Sequence, residues 1–293
     1  MITIHAPEGI GEITTDSDLA AEIIAACAAA PLDGLRDGDL LVVTSKVVSK
    51  LEGRTFPVEH KAELRQSETV RTVARKLGTA IVATHHGLVQ AAAGIDASNV
   101  ASDTILALPV DPDASAVRLR TQIGERTGAN VGIVVSDTAG RAWRVGQTDH
   151  AIGCAGVTAL RSYAGQSDVH GNELRVTLTA VADEVAAAAD LVKGKLGGRP
   201  VAVIRGLESA VTAADETGPS ARALTRPVDE DLFSHGSRES VLVAVLIALG
   251  VGERYEELVE LDDVDALVER IGPADGQRDW VHAVLSSAYT TFG

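Results

Sequence analysis

The sequence predicts an α/β fold of the α+β type with a mixed sheet, and two observations favour it. Short apolar segments rich in Val and Ile are bounded by Gly, Asp or polar residues, and Ala-rich segments with helical spacing lie between several of them. Because some predicted strands are separated by helices while others follow one another like hairpin partners, a mixed sheet is favoured over a purely parallel one. The predicted strands are residues 2–5, 39–44, 80–84, 131–135, 173–180 and 201–205.

Three predicted helices carry start or stop signals. Residues 16–30 begin with an aspartate cap, residues 111–128 open on Asp-Pro and end on glycine, and residues 181–198 also close on glycine. A further helix is predicted within residues 65–78. Because aromatic residues make up 3% of the chain, we expect a core of small aliphatic side chains.

The composition changes near residue 215 and suggests a domain boundary. Residues 216–236 are polar, contain two prolines and read as a linker, whereas residues 237–250 and 255–271 read as amphipathic helices followed by a third short one. The sequence therefore predicts a main domain over 1–215 and a short helical C-terminal segment over 237–293.

Charge and composition exclude several classes of protein. A formal net charge of −15 repels the nucleic acid backbone, so no nucleic acid partner is expected. The two cysteines, Cys27 and Cys154, form neither a disulfide framework nor a metal-ligand spacing, and we expect buried thiols. No stretch reaches about 18 consecutive apolar residues and no secretory signal pattern is present, so a soluble cytoplasmic protein without a membrane partner is expected.

A dense polar run follows the predicted strand 131–135. It contains Ser136, Asp137 and Thr138, and then Arg141, Arg144 and Gln147. The carboxyl end of a strand is where α/β proteins usually bind ligands; carboxylate and hydroxyl oxygens suit Mg²⁺, and arginine suits carboxylates or phosphates. The alternative is a capped turn with surface ion pairs, but so many donors and acceptors in one loop favour a site.

Two further clusters could bind a phosphate or a cation. Asp96 and Asn99 could face a cation and a phosphate together, or could form an Asx-type turn. Ser45, Lys46 and Lys50 follow the strand 39–44 and could hold phosphates, although a solvated basic face would show the same pattern.

These stretches together resemble one family. The segments TSKVVSKLEGR, HHGLVQAAAGIDASNV, LPVDPDASA, VVSDTAGRAWRVGQTDHAIGCAG and VADEVAAAADLVKGK stand in the order seen in the coenzyme F(420):L-glutamate ligases, also called F(420)-0:gamma-glutamyl ligases. The likeness covers roughly residues 7–210. The same stretch resembles the N-terminal domain of the two-domain actinobacterial enzymes. Five motifs in the same order make the resemblance far more specific than any one of them.

The resemblance implies an acid-amino acid ligase that hydrolyses GTP. Such an enzyme adds L-glutamate to the lactyl carboxylate of the deazaflavin precursor F(420)-0 through an acyl phosphate, and then extends a gamma-linked glutamyl tail. The implied cofactors are GTP as co-substrate and Mg²⁺ or Mn²⁺, two per site, with a monovalent cation as a further candidate. The family fold is a gamma-glutamyl ligase-like arrangement in which two subunits intertwine, so a homodimer is expected.

The resemblance also implies roles for particular residues. Asp96 and Asp137 match ligands of one divalent cation, and Thr138 matches a position near a second. Asp137, Arg141 and Arg144 are candidate catalytic residues; the two arginines, with Gln147, are inferred from the residues themselves as contacts for substrate carboxylates or phosphates. Positions that match GTP contacts are Gly9, Ile10, Gly11, Glu12, Ser45, Lys46, Lys50 and Asn99. The stretch Lys193 to Gly198 also falls where the family approaches nucleotide and metal, but its sequence assigns no particular contacts.

The chain departs from the family pattern in two places. The segment between Arg54 and Thr84 is shorter than in many members. The two-domain relatives continue into a flavin-binding module, whereas the residues after 228 are too few for it, so no FMN is expected. Two alternatives remain open: another metal-dependent phosphoryl-transfer enzyme acting on a small anionic metabolite, and a non-catalytic GTP-binding regulator.

Overall fold

The structure is a computed structural model that describes residues 1–29, 31–98 and 100–292, and its chain forms two compact units. Unit one comprises Met1–Lys61 and Ile95–Thr225, and unit two comprises Ala62–Gly94 and Arg226–Gly293. The C-terminal helices predicted from residue 237 lie in unit two with residues 62–94, which the sequence did not group with them. The division into a main domain that ends at residue 215, a linker over 216–236 and a C-terminal segment stays a prediction.

The elements confirm a mixed α/β chain. The strands are β1 Thr3–His5, β2 Leu40–Thr44, β3 Thr55–Pro57, β4 Thr69–Lys76, β5 Thr79–Thr84, β6 Val89–Ala91, β7 Thr104–Leu106, β8 Gly132–Arg141, β9 Arg144–Ala155, β10 Arg161–Ser162, β11 Leu178–Thr179 and β12 Val201–Arg205. The helices are α1 Leu19–Cys27, α2 Ser45–Leu51, α3 Lys61–Glu68, α4 Pro112–Thr127, α5 Val181–Lys193, α6 Ser237–Ala248, α7 Tyr255–Leu258, α8 Val264–Ile271 and α9 Arg278–Phe292.

Unit one is built on a mixed five-stranded sheet with the strand order β1-β12-β2-β8-β9. Strands β2 and β8 run parallel, and the other neighbouring pairs are antiparallel. The expected mixed sheet is thus confirmed. The parallel register pairs Thr44 with Ser136, so the carboxyl ends of the two central strands meet at one edge of the sheet.

Helices α4 and α5 cover opposite faces of this sheet. Cys154 belongs to the apolar cluster that α5 contributes to, whereas a side chain at the neighbouring Gly153 would overlap Pro112 at the start of α4. Successive residues of a strand point to opposite faces. The core is therefore made of small aliphatic residues on both sides of β2 and β8, as the composition predicts.

Helix α4 forms where its signals predict it. The Asp111 side chain accepts a hydrogen bond from the Ala114 amide at 2.9 Å, Pro112 occupies the first turn, and Gly128 ends the helix with a φ of 75°. That left-handed conformation favours glycine. The cysteines also match expectation, since Cys27 and Cys154 are buried and free.

Unit two contains an antiparallel sheet in the order β4-β5-β6 and the helices α6 to α9, which pack around a Leu- and Val-rich cluster. The helix predicted over 65–78 is wrong, because α3 ends at Glu68 and the following residues pair with β5. The single helix predicted over 255–271 is also wrong: Asp263 caps a new helix by accepting from the Ala266 amide at 2.7 Å.

Two predictions in unit one also need correction. The strand predicted over 173–180 is limited to the two residues of β11. The polar loop predicted after residue 135 is instead a long hairpin of β8 and β9. None of the helices in the part of the chain that the structure describes combines the length and apolar character needed to cross a lipid bilayer.

Candidate functional site

A cavity of about 390 Å³ opens at the sheet edge where β2 and β8 end their parallel pairing. Its walls come from the N-terminal turn, the start of α2, the β8–β9 hairpin and the chain that links α5 to β12. The lining residues are Gly11, Glu12, Ile13, Thr44, Lys46, Val47, Lys50, Asp137, Thr138, Asp149, Asp190, Lys193, Gly194, Lys195, Gly198, Arg199 and Pro200.

The cavity gathers basic side chains in an acidic protein. Its lining carries five Lys or Arg side chains and four carboxylates, an excess of one positive charge, whereas the whole chain has a net charge of −15. Basic groups gathered in a cleft focus the field on an anionic ligand. The cavity is therefore far less hostile to phosphates or carboxylates than the acidic protein as a whole.

Asp137 lies in the wall just beyond the parallel strands. The Ser45 hydroxyl, at the start of α2, donates a hydrogen bond of 2.8 Å to Asp137 Oδ1. Burial raises the pKa of Asp137 to about 6, because it outweighs that hydrogen bond and the charge of nearby Lys46. A carboxylate that burial penalises in this way gains from a bound cation.

Lys46 connects the two predicted metal ligands. Its ammonium lies 2.5 Å from Asp96 Oδ2 and donates to Ser98 Oγ, while its charge also lowers the pKa of Asp137. Burial opposes the ionisation of Asp96, but Lys46 and two hydrogen bonds from Ser98 outweigh it and hold the pKa of Asp96 below its usual value. Asn99, the predicted nucleotide contact next to Ser98, lies outside the described residues.

The metal donor set can be tested against this geometry. Among the described residues, no group of three or more His, Cys, Asp or Glu side chains is arranged so that it could hold a metal ion by itself. Mg²⁺ needs no such site, since it is usually held by one or two carboxylates together with phosphate oxygens and water. Asp137 fits that role, whereas the Asp96 carboxylate is already engaged by Lys46 and Ser98.

Thr138 belongs to a buried network that the sequence did not predict. Its hydroxyl donates to Asp149 Oδ1 at 2.6 Å, and Asp149 Oδ2 accepts from Ser136 and from the Lys193 ammonium, both at 2.9 Å. Burial opposes the charge on Asp149, but Lys193 and these hydrogen bonds outweigh it and hold the pKa of Asp149 below its usual value. The network fixes the hydroxyl of Thr138 at the cavity wall.

A second lysine reaches the same network from the cavity side. The Lys195 ammonium donates to Thr138 Oγ1 at 2.9 Å and to Asp190 Oδ1 at 2.8 Å. Half of its side chain is exposed. It therefore stands where a ligand that enters the cavity would meet it.

The N-terminal turn forms the opposite wall. Gly9 has a φ of 91°, which favours glycine, and Gly11 and Glu12 line the cavity, whereas Gly9 and Ile10 are not among the lining residues. The Lys50 ammonium lies 2.5 Å from Glu12 Oε1 and ties the turn to α2. The structure thus brings the turn, Lys46 and Lys50 to one cavity.

Arg141, Arg144 and Gln147 are placed elsewhere. They lie near the turn of the β8–β9 hairpin, are exposed, and are not among the residues that line the cavity. The basic groups that do line this side are Lys193, Lys195 and Arg199. The roles predicted for Arg141 and Arg144 stay predictions.

One signal in the sequence could have revealed part of the buried network, and the rest depends on the hairpin register. Lys193 follows Ala182, Val185 and Ala189 on the buried face of α5, and a lysine on such a face needs a buried partner. Asp149 stands opposite Thr138 in the hairpin, so the two side chains share one face of the sheet. The hairpin register is needed to see this, and the local sequence predicts a loop instead.

Comparisons with known proteins agree on one family. A family profile described as F(420)-0:gamma-glutamyl ligase matches residues 9–66 and 56–206. The coenzyme F(420):L-glutamate ligase of Archaeoglobus fulgidus is 38% identical over 231 residues, which covers 71% of this chain and 89% of that protein. Proteins of the same name from Methanothermobacter thermautotrophicus and Methanocaldococcus jannaschii are 33% identical over 255 residues and 36% over 219 residues, covering 79% and 68% of this chain and 98% and 86% of the relatives. This chain belongs to the F(420)-0:gamma-glutamyl ligase family.

Proposed function

We propose that this protein is a GTP- and divalent-metal-dependent ligase that joins L-glutamate to F(420)-0 by an amide bond and then extends a gamma-linked glutamyl tail. The family and the names of the relatives support a ligase that adds glutamate. The observation that carries the finer proposal is the cavity itself, which sets Asp137 beside several lysines at the edge of the sheet.

The proposed chemistry has two balanced steps. An oxygen of the F(420)-0 carboxylate bonds to the terminal phosphorus of GTP while the bond to GDP breaks. The amino group of glutamate then attacks the carbonyl carbon of the acyl phosphate, inorganic phosphate leaves, and the amine releases a proton. Both steps bring several negative charges together, so positive groups fixed in the site lower the barrier.

The residues of the cavity can meet these demands. Lys46 and Lys50 lie beside the N-terminal turn and would bind the phosphates of GTP. Asp137 would hold a Mg²⁺ or Mn²⁺ ion, which would supply Lewis-acid stabilisation of the phosphate oxygens. Arg141 and Arg144, the arginines of the hairpin turn, remain proposed contacts for a substrate carboxylate. The homodimer that the resemblance implies is also part of the proposal.

The ligase proposal is tested by mass spectrometry of F(420)-0 incubated with the protein, GTP, Mn²⁺ and L-glutamate. We expect a mass gain of one or more glutamyl units that requires all four components. GTP hydrolysis without a mass gain would favour the alternative phosphoryl-transfer enzyme. GTP binding without turnover would favour the regulator.

The role of Asp137 is tested by Asp137→Asn in the same assay. We expect turnover to fall more than about 100-fold, since residues that merely orient metal ligands cost about 10- to 100-fold when removed. The matched control is Asp103→Asn, an exposed aspartate of unit one that does not line the cavity. An Asp137→Asn protein that is folded and fully active would remove this residue from the mechanism.

A further inference from the structure

The oxygen atoms around Thr138 already hold a cation, which is the ammonium group of Lys195. It donates to Thr138 Oγ1 at 2.9 Å and to Asp190 Oδ1 at 2.8 Å, and it lies 3.5 Å from Asp149 Oδ1. Carboxylate and hydroxyl oxygens in such an arrangement are also the donors that a hard divalent cation uses. Lys195 therefore occupies a position suited to a metal ion.

The Thr138 hydroxyl is oriented to accept from a cation in this position. A hydroxyl group has one proton to donate, and Thr138 donates it to Asp149 Oδ1 at 2.6 Å. Asp149 is itself held by the buried Lys193 and by Ser136. The remaining lone pairs of Thr138 Oγ1 thus face the cavity, where Lys195 meets them.

The charged side chains around Thr138, which we call this corner of the cavity, already balance. Asp149 and Asp190 contribute two negative charges, and Lys193 and Lys195 contribute two positive charges. A divalent ion added beside Thr138 would create an excess of positive charge while Lys195 stays in place. Asp137 differs, because its side-chain hydrogen bond comes from the neutral hydroxyl of Ser45, so a cation there meets a carboxylate without an ammonium in direct contact.

We propose that the Lys195 ammonium takes the place of a second divalent cation, so that each cavity binds one divalent ion, at Asp137, and uses Lys195 as the second positive charge beside the phosphates. This inference rests on the proposed function, and it differs from the two metal ions per site that the family resemblance implies. The side chain of Lys195 is 57% exposed, whereas that of Lys193 is 4% exposed. Lys195 is therefore the lysine of this corner that can follow a phosphate.

The test counts bound Mn²⁺ by electron paramagnetic resonance on the full chain with one equivalent of a non-hydrolysable GTP analogue. We expect about one Mn²⁺ per chain for the native protein and about two for Lys195→Gln, which removes the charge and offers an amide oxygen instead. The second ion should give a spin-coupled spectrum, since paired catalytic metals lie about 3.5–4 Å apart. Lys195→Arg keeps the charge and should still bind about one Mn²⁺ per chain. Lys61→Met, a control at an exposed lysine, should also bind about one.

Each outcome supports or overturns the inference. Two Mn²⁺ ions in the native protein, or one in Lys195→Gln, would overturn it and leave the ligase proposal intact. No bound Mn²⁺ in any variant would overturn the inference together with the metal dependence of the proposed function. A native protein that binds one Mn²⁺ but transfers no glutamate in the mass spectrometric assay would contradict the ligase proposal alone.

Discussion

Lys193 and Asp149 form a buried ion pair whose partners come from different elements, the last turn of α5 and the middle of β9. Their side chains are 4% and 3% exposed, and the Lys193 ammonium lies 2.9 Å from Asp149 Oδ2. Taking two charges out of water is costly, and the cost is offset only when hydrogen bonds satisfy the remaining atoms. Ser136 and Thr138 complete the set for Asp149, so the pair is built to hold Thr138 at the cavity wall.

The substitution Lys193→Met should therefore be costly. It leaves the Asp149 carboxylate buried without its closest cation, and we expect the free energy of unfolding to fall by about 3 kcal/mol, at the low end for broken buried pairs because Lys195 stays nearby. Urea denaturation at pH 7 measures this loss.

A double variant and a pH series serve as controls for that experiment. Lys193→Met combined with Asp149→Asn removes both charges and should recover part of the loss. Because the pKa of Asp149 is held low in the folded protein, the stabilisation is present at neutral pH and is lost as the pH falls below the usual aspartate value of about 3.9. A single variant as stable as the native protein would show that the pair contributes little.

At the scale of the element, the contact between α4 and β9 is set by one glycine. A side chain at Gly153 would overlap the Pro112 carbonyl group and approach the Asp113 amide nitrogen to 2.7 Å. The Asp113 carboxylate in turn accepts from the amides of Cys154 and Ala221, each at 2.8 Å. The start of α4 is therefore fixed against the hairpin that carries Asp137.

Gly153→Ala should separate these two elements. We expect the free energy of unfolding to fall by about 3 kcal/mol, toward the upper end of the cost of overpacking, because the clash is with backbone atoms that have little room to move. The matched control is Gly140→Ala in the same hairpin, where the added methyl group would meet no atom within 4 Å. Urea denaturation of both variants checks the prediction, and equal stability of the two would contradict it.

The elements also show what the sequence can and cannot predict. Residues 39–44, 111–128 and 201–205 are predicted correctly because an apolar run or a cap signal acts within a few residues. The stretch 65–78 contains good helix formers. Thr69–Lys76 instead forms a strand that pairs with β5, and a turn at Leu77 and Gly78 joins the two strands. Strand pairing depends on a partner elsewhere in the chain, so it overrides local propensity here.

The candidate site divides in the same way. Asp137, Lys46 and Lys50 could be predicted because they follow a recognisable strand and match a family motif. Lys193, Asp190 and Arg199 reach the cavity from α5 and the chain after it, and that meeting is set by how α5 packs on the sheet. The exposed positions of Arg141 and Arg144 likewise follow from the hairpin, whose partner strand the local sequence does not reveal.

At the scale of the whole molecule, the charge distribution sets the cavity apart from the protein as a whole. The chain carries a net charge of −15, while the cavity lining has an excess of one positive charge. A protein with this balance repels polyanions in general and opposes a small anion less at the cavity. The proposed ligands, GTP, glutamate and an acidic precursor, are small anions of that kind.

Two large apolar side chains are exposed at the end of the hairpin that supports the cavity, which bears on the proposed homodimer. Trp143 and Val145 are 80% and 102% exposed at the β8–β9 turn, with Arg141 and Arg144 beside them. Large exposed apolar groups are typical of an interaction surface, and a two-fold dimer would use the same surface in both subunits. We therefore expect the hairpin turns to take part in the subunit interface.

Val145→Lys tests this expectation without disturbing the fold of a single chain, because the native side chain is fully exposed. A charge brought into a two-fold interface is buried in both subunits at once, so we expect the mass measured by light scattering at micromolar concentration to shift from dimer toward monomer. Val110→Lys, at an exposed valine outside the hairpin, should leave the dimer intact. A native chain that is monomeric throughout would refute the homodimer, whereas a dimer unaffected by Val145→Lys would place the interface on another surface.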